Sequence, residues 1–336
     1  MTRTRSRVDG RDPAPPETPE PALRIRGLGK DYGGRPALAG LDLDVAPGEI
    51  VALLGHNGAG KTTTVRLLNG VLAPDRGEAR VLGLDPWTEG TRLRRRTGIA
   101  TERPSLDPRL SARANLRLYA ALYGVPREQE AARIDAVLDR FGLLARAEDR
   151  VGAYSKGMTQ RLALARCALH EPDLYFLDEP SAGLDPLAAR ELRGWIEDLA
   201  AEHGRTVLLC THDLAEAQRL ADRVAVLREG ELAAMGTPGE LATRYGAARL
   251  EVEVPEEQGD AARAALLERG FELAGRAEGE EAIPPATRRL RVAAAGRDRA
   301  PDVARAILDA GLSLVRLDPT DASLEDVYLA VYGESQ

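Results

Sequence analysis

The stretch Gly55–Thr63, reading GHNGAGKTT, limits what this chain can fold into more than any other feature. It follows an apolar run, Ile50 to Leu54, and opens a helical stretch, Thr62 to Leu68. A loop so rich in glycine can turn successive backbone N–H groups toward one anion. The helix start behind it adds a favourable dipole. Gly55, Asn57, Gly58, Ala59, Gly60, Lys61, Thr62 and Thr63 are therefore expected to cradle the phosphates of a nucleotide. Lys61 should reach the β- and γ-phosphates, and the Thr62 hydroxyl should bind Mg²⁺.

A strand before such a loop and a helix after it are the setting of the P-loop in an α/β sheet. Further apolar runs read as buried strands of that sheet: Asp173 to Leu177, Thr206 to Cys210 and Val224 to Leu227. Polar residues follow the first two directly, at the strand ends where ligands sit in open α/β sheets. Between Leu93 and Tyr154 no strand pattern is visible. Leu110 to Leu122 and Gln129 to Leu144 have a helical period, which predicts a helical subdomain over about 93–158.

Near Ala247 the pattern changes. Leu250 to Val254 alternates, Asp260 to Arg269 is helical, Phe271 to Gly275 is extended, and Arg289 to Val292 is a strand. Asp302 to Ala310 is helical and Leu312 to Leu317 a strand. That βαββαβ order predicts a small ferredoxin-like α+β domain over 247–336, ending in a helix capped by Ser323. Residues 1–21, rich in Pro, Arg, Asp and Glu, read as a disordered tail.

Composition excludes several classes. A net charge of −7 argues against a generally basic nucleic-acid-binding protein. Cys167 and Cys210 stand alone in the sequence, so neither a disulfide framework nor a zinc site is expected. Arginines near the N-terminus lead into no apolar stretch, so no signal peptide is expected. No run approaches the roughly 20 apolar residues that cross a bilayer. Work at a membrane would need a partner chain. Lysine is scarce, and two of its three occurrences, Lys61 and Lys156, fall inside motifs.

Two more motifs carry chemistry. In LYFLDEP, Leu174–Pro180, an apolar strand delivers Asp178 and Glu179 side by side. Asp178 suits Mg²⁺, directly or through water, and Glu179 could take a proton from an attacking water. An ordinary strand with an acidic turn would read the same in isolation. In YSKGMTQR, Tyr154–Arg161, Ser155 is expected to cap the helix that follows, which leaves a helix start able to meet an anion.

The joint order of GHNGAGKTT, YSKGMTQR, LDEP, SAGLDP and THD resembles the ATP-binding subunit of an ABC transporter, from Leu23 to about Tyr245. The resemblance implies an ABC-type P-loop ATPase core that binds ATP and Mg²⁺. YSKGMTQR is similar to the family's signature motif, usually LSGGQ, with departures at Tyr154, Lys156 and Met158. It resembles that of the drug-export branch, which includes daunorubicin-resistance-type ATPases. By this resemblance Ser155 and Gly157 meet the γ-phosphate of ATP held by an opposite subunit, and Asp185 links the two sites. Tyr32 would stack on adenine and His212 would contact the γ-phosphate. Glu102 stands where the family carries a glutamine that contacts Mg²⁺ and the transmembrane partner. The end of the chain, SLEDVYLAVYG, is similar to the C-terminal extension of the same branch.

The implied partners are a second copy, or a homologous ATPase, and a transmembrane permease on a separate chain. The implied place is the cytoplasmic face of the membrane, as a peripheral subunit of an exporter. A soluble, non-transport ABC-type ATPase is the alternative. DNA-maintenance relatives carry a long coiled-coil insertion, for which Lys61 to Ser155 leaves no room. His56, His170 and His203 are assigned no chemistry, the last two being expected at the surface.

Overall fold

The computed structural model describes residues 20–101, 105–245, 249–273, 287–292, 297–320 and 323–333. The expected tail lies almost wholly outside these residues, and Glu102 lies outside them entirely.

The chain begins with a hairpin, β1 (Leu23–Tyr32) and β2 (Arg35–Val45), closed by Gly33 and Gly34, both with positive φ. Two such residues make the turn whose twist matches that of the strands it joins. Next come β3 (Ile50–Leu54), α1 (Lys61–Leu68) and β4 (Arg76–Val81). β4 pairs with β1, giving an antiparallel sheet ordered β2-β1-β4.

Then follow α2 (Gly90–Arg94) and β5 (Thr97–Ala100). The strand β5 lies where the sequence suggested none. Its four residues are too few to show a period, and it is defined by pairing, not pattern. Three helices come next: α3 (Ala112–Tyr123), α4 (Arg127–Arg140) and α5 (Lys156–Ala168). The helical segment therefore starts after β5, not at Leu93. Ser111 caps α3 through Ala114 N–H, and Ser155 caps α5 through Met158 N–H.

The chain returns to the main sheet with β6 (Leu174–Asp178), α6 (Pro186–Ala201), β7 (Thr206–Thr211), α7 (Leu214–Leu220), β8 (Arg223–Arg228) and β9 (Glu231–Gly236). The sheet order is β5-β6-β7-β3-β8-β9, parallel except for the antiparallel edge β9. Its central strands β3, β6 and β7 are buried at every position. That explains their continuous apolar runs.

After α8 (Pro238–Tyr245) come β10 (Arg249–Pro255), α9 (Gly259–Glu268), β11 (Thr287–Val292), α10 (Ala300–Asp309) and β12 (Arg316–Thr320). The sheet is antiparallel, ordered β11-β10-β12, and Leu273 bridges to Val292 beyond β11. This is the ferredoxin-like order, with a separate core of Leu250, Val252, Leu266, Val292 and Ile307. The last strand begins later than its apolar run suggested, at Arg316.

The final helix, α11 (Leu324–Gly333), does not join that core. Leu324, Val327 and Val331 are buried with Ala52, Leu54, Val224 and Val226 of the main sheet. Ser323 precedes it, donating from its N–H and its hydroxyl to the Asp326 carboxylate.

Candidate functional site

β6, β7 and β3 are neighbours, so three segments far apart in sequence end at one edge. β3 runs into the glycine-rich loop, β6 ends at Asp178, and His212 follows β7. The switch from strands running outward on one side of β3 to the other opens a cleft at their C-terminal ends. It has a volume of about 410 Å³ and is lined by Tyr32, Ala37, His56, Asn57, Gly58, Gly60, Lys61, Thr62, Thr63, Asp178 and Glu179. Gly55 and Ala59 lie buried beneath it.

The loop is held from several sides. Gly60 caps α1 at φ 111°, and a Cβ there would lie 2.6 Å from Ala37 O. Both the dihedral and the space require glycine. Lys61 is buried. Its ammonium donates to Gly55 O at 2.5 Å and lies 3.5 Å from His56 O and 3.8 Å from Glu179 Oε1. A cation fixed at the mouth of a ring of N–H groups suits a polyphosphate.

Thr62 Oγ1 donates to Asp178 Oδ2 at 2.9 Å, joining the helix start to the end of β6. These are two hard oxygen donors, one of them anionic. Such a pair suits Mg²⁺, which takes one or two protein oxygens and fills its shell with phosphates and water.

Glu179 adopts φ 51°, a left-handed conformation that costs a non-glycine residue about 1–2 kcal/mol. The surroundings enforce it: Glu179 N–H donates to Cys210 O at 2.8 Å and Ala182 N–H donates to Glu179 O at 3.1 Å. The turned backbone brings the carboxylate to Lys61 on one side and His212 on the other. Nδ1 of His212 lies 2.8 Å from Glu179 Oε2. An ionised carboxylate only accepts, so the ring carries its proton on Nδ1 in this contact.

Tyr32 stands at the tip of the first hairpin, paired with Arg35, and is 47% exposed. Its ring is therefore available at the cleft mouth. Ser155, Gly157 and Asp185 do not line this cleft. Ser155 caps α5, and Asp185 caps α6 by accepting from Ala188 N–H at 2.9 Å. That N–H holds the Asp185 carboxyl below the usual range. Gln160 on α5 reaches Pro180 O at 3.0 Å, which ties the helix carrying Ser155 to the residue after Glu179.

Ala37 and Gln160 carry no charge or nucleophile, and nothing in the sequence marks either for chemistry. Glu216 is buried near Thr211, and burial raises its pKa. His170, expected at the surface, is instead stacked on Tyr123 at 4.0 Å, with Nε2 donating to Thr97 O at 3.1 Å.

Comparison with known proteins agrees with this geometry. The family profile described as ABC transporter matches residues 38–182. The daunorubicin resistance ATP-binding protein DrrA3 of Streptomyces coeruleorubidus is 37% identical over 318 residues, covering 94% of this chain and 97% of that protein. A solved structure described as the ATP-binding subunit of an ABC transporter has a TM-score of 0.63 at 34% identity, covering 67% of this chain and 93% of the other. A dimeric ATP-binding cassette, MJ0796, in a post-hydrolysis state with ADP and Pi, has a TM-score of 0.60 at 25% identity, covering 64% of this chain and 98% of the other. With its loop, its LDEP strand end and its relatives in agreement, the chain belongs to the ABC transporter family, as an ATP-binding and ATP-hydrolysing protein.

Proposed function

We propose that this chain powers an exporter of drug-like compounds, acting as two copies on the cytoplasmic face of a membrane beside a permease encoded separately. The observation that carries the catalytic part is the arrangement of Glu179 between Lys61 and His212. Glu179 is the general base that takes a proton from the attacking water. His212 orients that carboxylate and contacts the γ-phosphate. Lys61 and the loop N–H groups hold the β- and γ-phosphates, and Tyr32 stacks on adenine. Thr62 and Asp178 are the protein ligands of Mg²⁺, which when bound spreads the charge of the phosphate oxygens. Glu102 is left without a role here.

Ser155 and Gly157 serve the ATP of the opposite copy, with Asp185 between the two sites. This accounts for three motif residues that stand outside the cleft of their own chain. The dimeric form of a structural relative supports the same reading. Residues 22–246, with α11 packed on them, form the ATPase body, and 247–320 form the accessory domain.

Among the described residues no helix is long and apolar enough to cross a membrane. On α3, Leu118 and Leu122 are 51% and 63% exposed and four residues apart, an apolar pair on one helix face. That pair suits a partner protein. The drug resistance named for the daunorubicin relative supports the export role. Co-expression with a candidate permease of about six transmembrane helices tests the proposal. The chain should sediment with membranes only when that protein is present. Stable binding to protein-free lipid vesicles would contradict it.

A further inference from the structure

The last helix reaches the nucleotide site from behind. The Tyr332 ring meets the His56 ring edge-on at 5.3 Å between centroids. The Tyr332 hydroxyl donates to Leu227 O, at the end of β8. Arg228 Nη1 donates to Val331 O at 2.6 Å, so the helix end is fixed to the same strand. A Cβ on Gly55 would lie 2.8 Å from Leu227 O and 3.4 Å from the Tyr332 hydroxyl, so the loop and the helix end are in close approach.

His56 is a sensitive place to touch. Its carbonyl accepts from Ala59 N–H at 3.1 Å and faces the Lys61 ammonium at 3.5 Å. Its ring Nδ1 lies 2.6 Å from Asn57 O. A shift of the ring is thus a shift of carbonyls that set the first turn of the phosphate-binding loop. His56 itself is exposed, on the outer side of the loop.

We propose that Tyr332 is a positioning residue for this loop, holding His56 so that the loop N–H groups and Lys61 are arranged for the phosphates of ATP. The helix that follows the accessory domain then bears directly on nucleotide affinity. Whatever moves that domain can alter ATP binding through the contact of Tyr332 with His56. Tyr332 does not line the nucleotide cleft, and its proposed part is to position the loop, not to take part in the chemistry.

The test is calorimetric binding of MgATP and of adenosine to the full chain and to His56→Ala, Tyr332→Ala, Tyr332→Phe and the double alanine variant. An aromatic pair contributes enough to predict a loss of about threefold to tenfold in MgATP affinity for each alanine variant. Tyr332→Phe keeps the ring contact and loses the hydroxyl's ties to Leu227 O and to the His56 backbone, so its loss should be smaller. The double variant should bind no more weakly than the worse single one, because both remove one contact. Adenosine affinity should be unchanged, and the loss should appear in KM while kcat stays within about twofold.

A helix that only caps the fold would give a lowered unfolding midpoint with unchanged MgATP affinity, and that result overturns the proposal. Additive losses in the double variant, or equal losses for adenosine and MgATP, overturn it as well. Should Tyr332→Ala fail to fold, His56→Ala and Tyr332→Phe decide: unchanged MgATP affinity in both is fatal to the idea.

Discussion

Lys61 is buried, and its ammonium faces three oxygen groups: two loop carbonyls and the Glu179 carboxylate. Its proposed partner is phosphate, where each charge-assisted hydrogen bond contributes about 1.5–3 kcal/mol. Lys61→Met keeps the stem and removes the ammonium. Calorimetry should then show MgATP affinity falling by about tenfold to hundredfold with adenosine affinity intact. An equal loss for both ligands would mean damage to the fold. At this scale the sequence was most legible where chemistry is local. Lys61, Thr62, Asp178 and Glu179 sit within contiguous motifs, and all four line one cleft. The left-handed turn at Glu179 was not legible, because it is imposed by Cys210 O from a neighbouring strand. Nor was the contact of Tyr332 with His56, which joins residues at opposite ends of the chain.

Elements were legible in proportion to their length and period. The buried central strands announced themselves as apolar runs. β5 did not, and β1, β2 and β4 were missed because their burial is interrupted by exposed positions and register shifts. The Gly33-Gly34 pair was the available signal for the first hairpin, and it places Tyr32 at the tip. Elements also show how a residue without chemistry can hold the frame. His170 sits between α3 and β5, stacked on Tyr123 and bonded to Thr97 O. Burial pushes its pKa from 6.5 down to about 4, although the Thr97 contact opposes this. The unfolded imidazole takes a proton near 6.5 and the folded one only near 4, so acid favours unfolding between those values. The contribution of His170 is fully present above pH 6.5 and is lost progressively below it. The loss reaches up to about 3 kcal/mol by pH 4. Denaturant unfolding from pH 7 to 4 should show this extra loss in the wild type and not in His170→Phe. Parallel pH profiles would place the ring in solvent.

The whole molecule is a cleft built at one sheet edge, a helical segment beside it, and an accessory domain whose closing helix packs back on the ATPase body. That return was invisible in the sequence, since an apolar helix face does not state which core it will join. It makes the two units interdependent. Ser155, Gly157 and Asp185 lie away from their own cleft, which is the basis for proposing that hydrolysis takes place between two copies of this chain. Glu179→Gln is the decisive variant, because it removes the proposed general base and leaves the proposed phosphate-binding residues in place. Light scattering on the eluting protein, with ATP and Mg²⁺ in the buffer, measures its mass. The expected result is a dimer that holds ATP and turns it over at least about a hundredfold more slowly than wild type. A monomeric Glu179→Gln protein that hydrolyses ATP at the wild-type rate would contradict it.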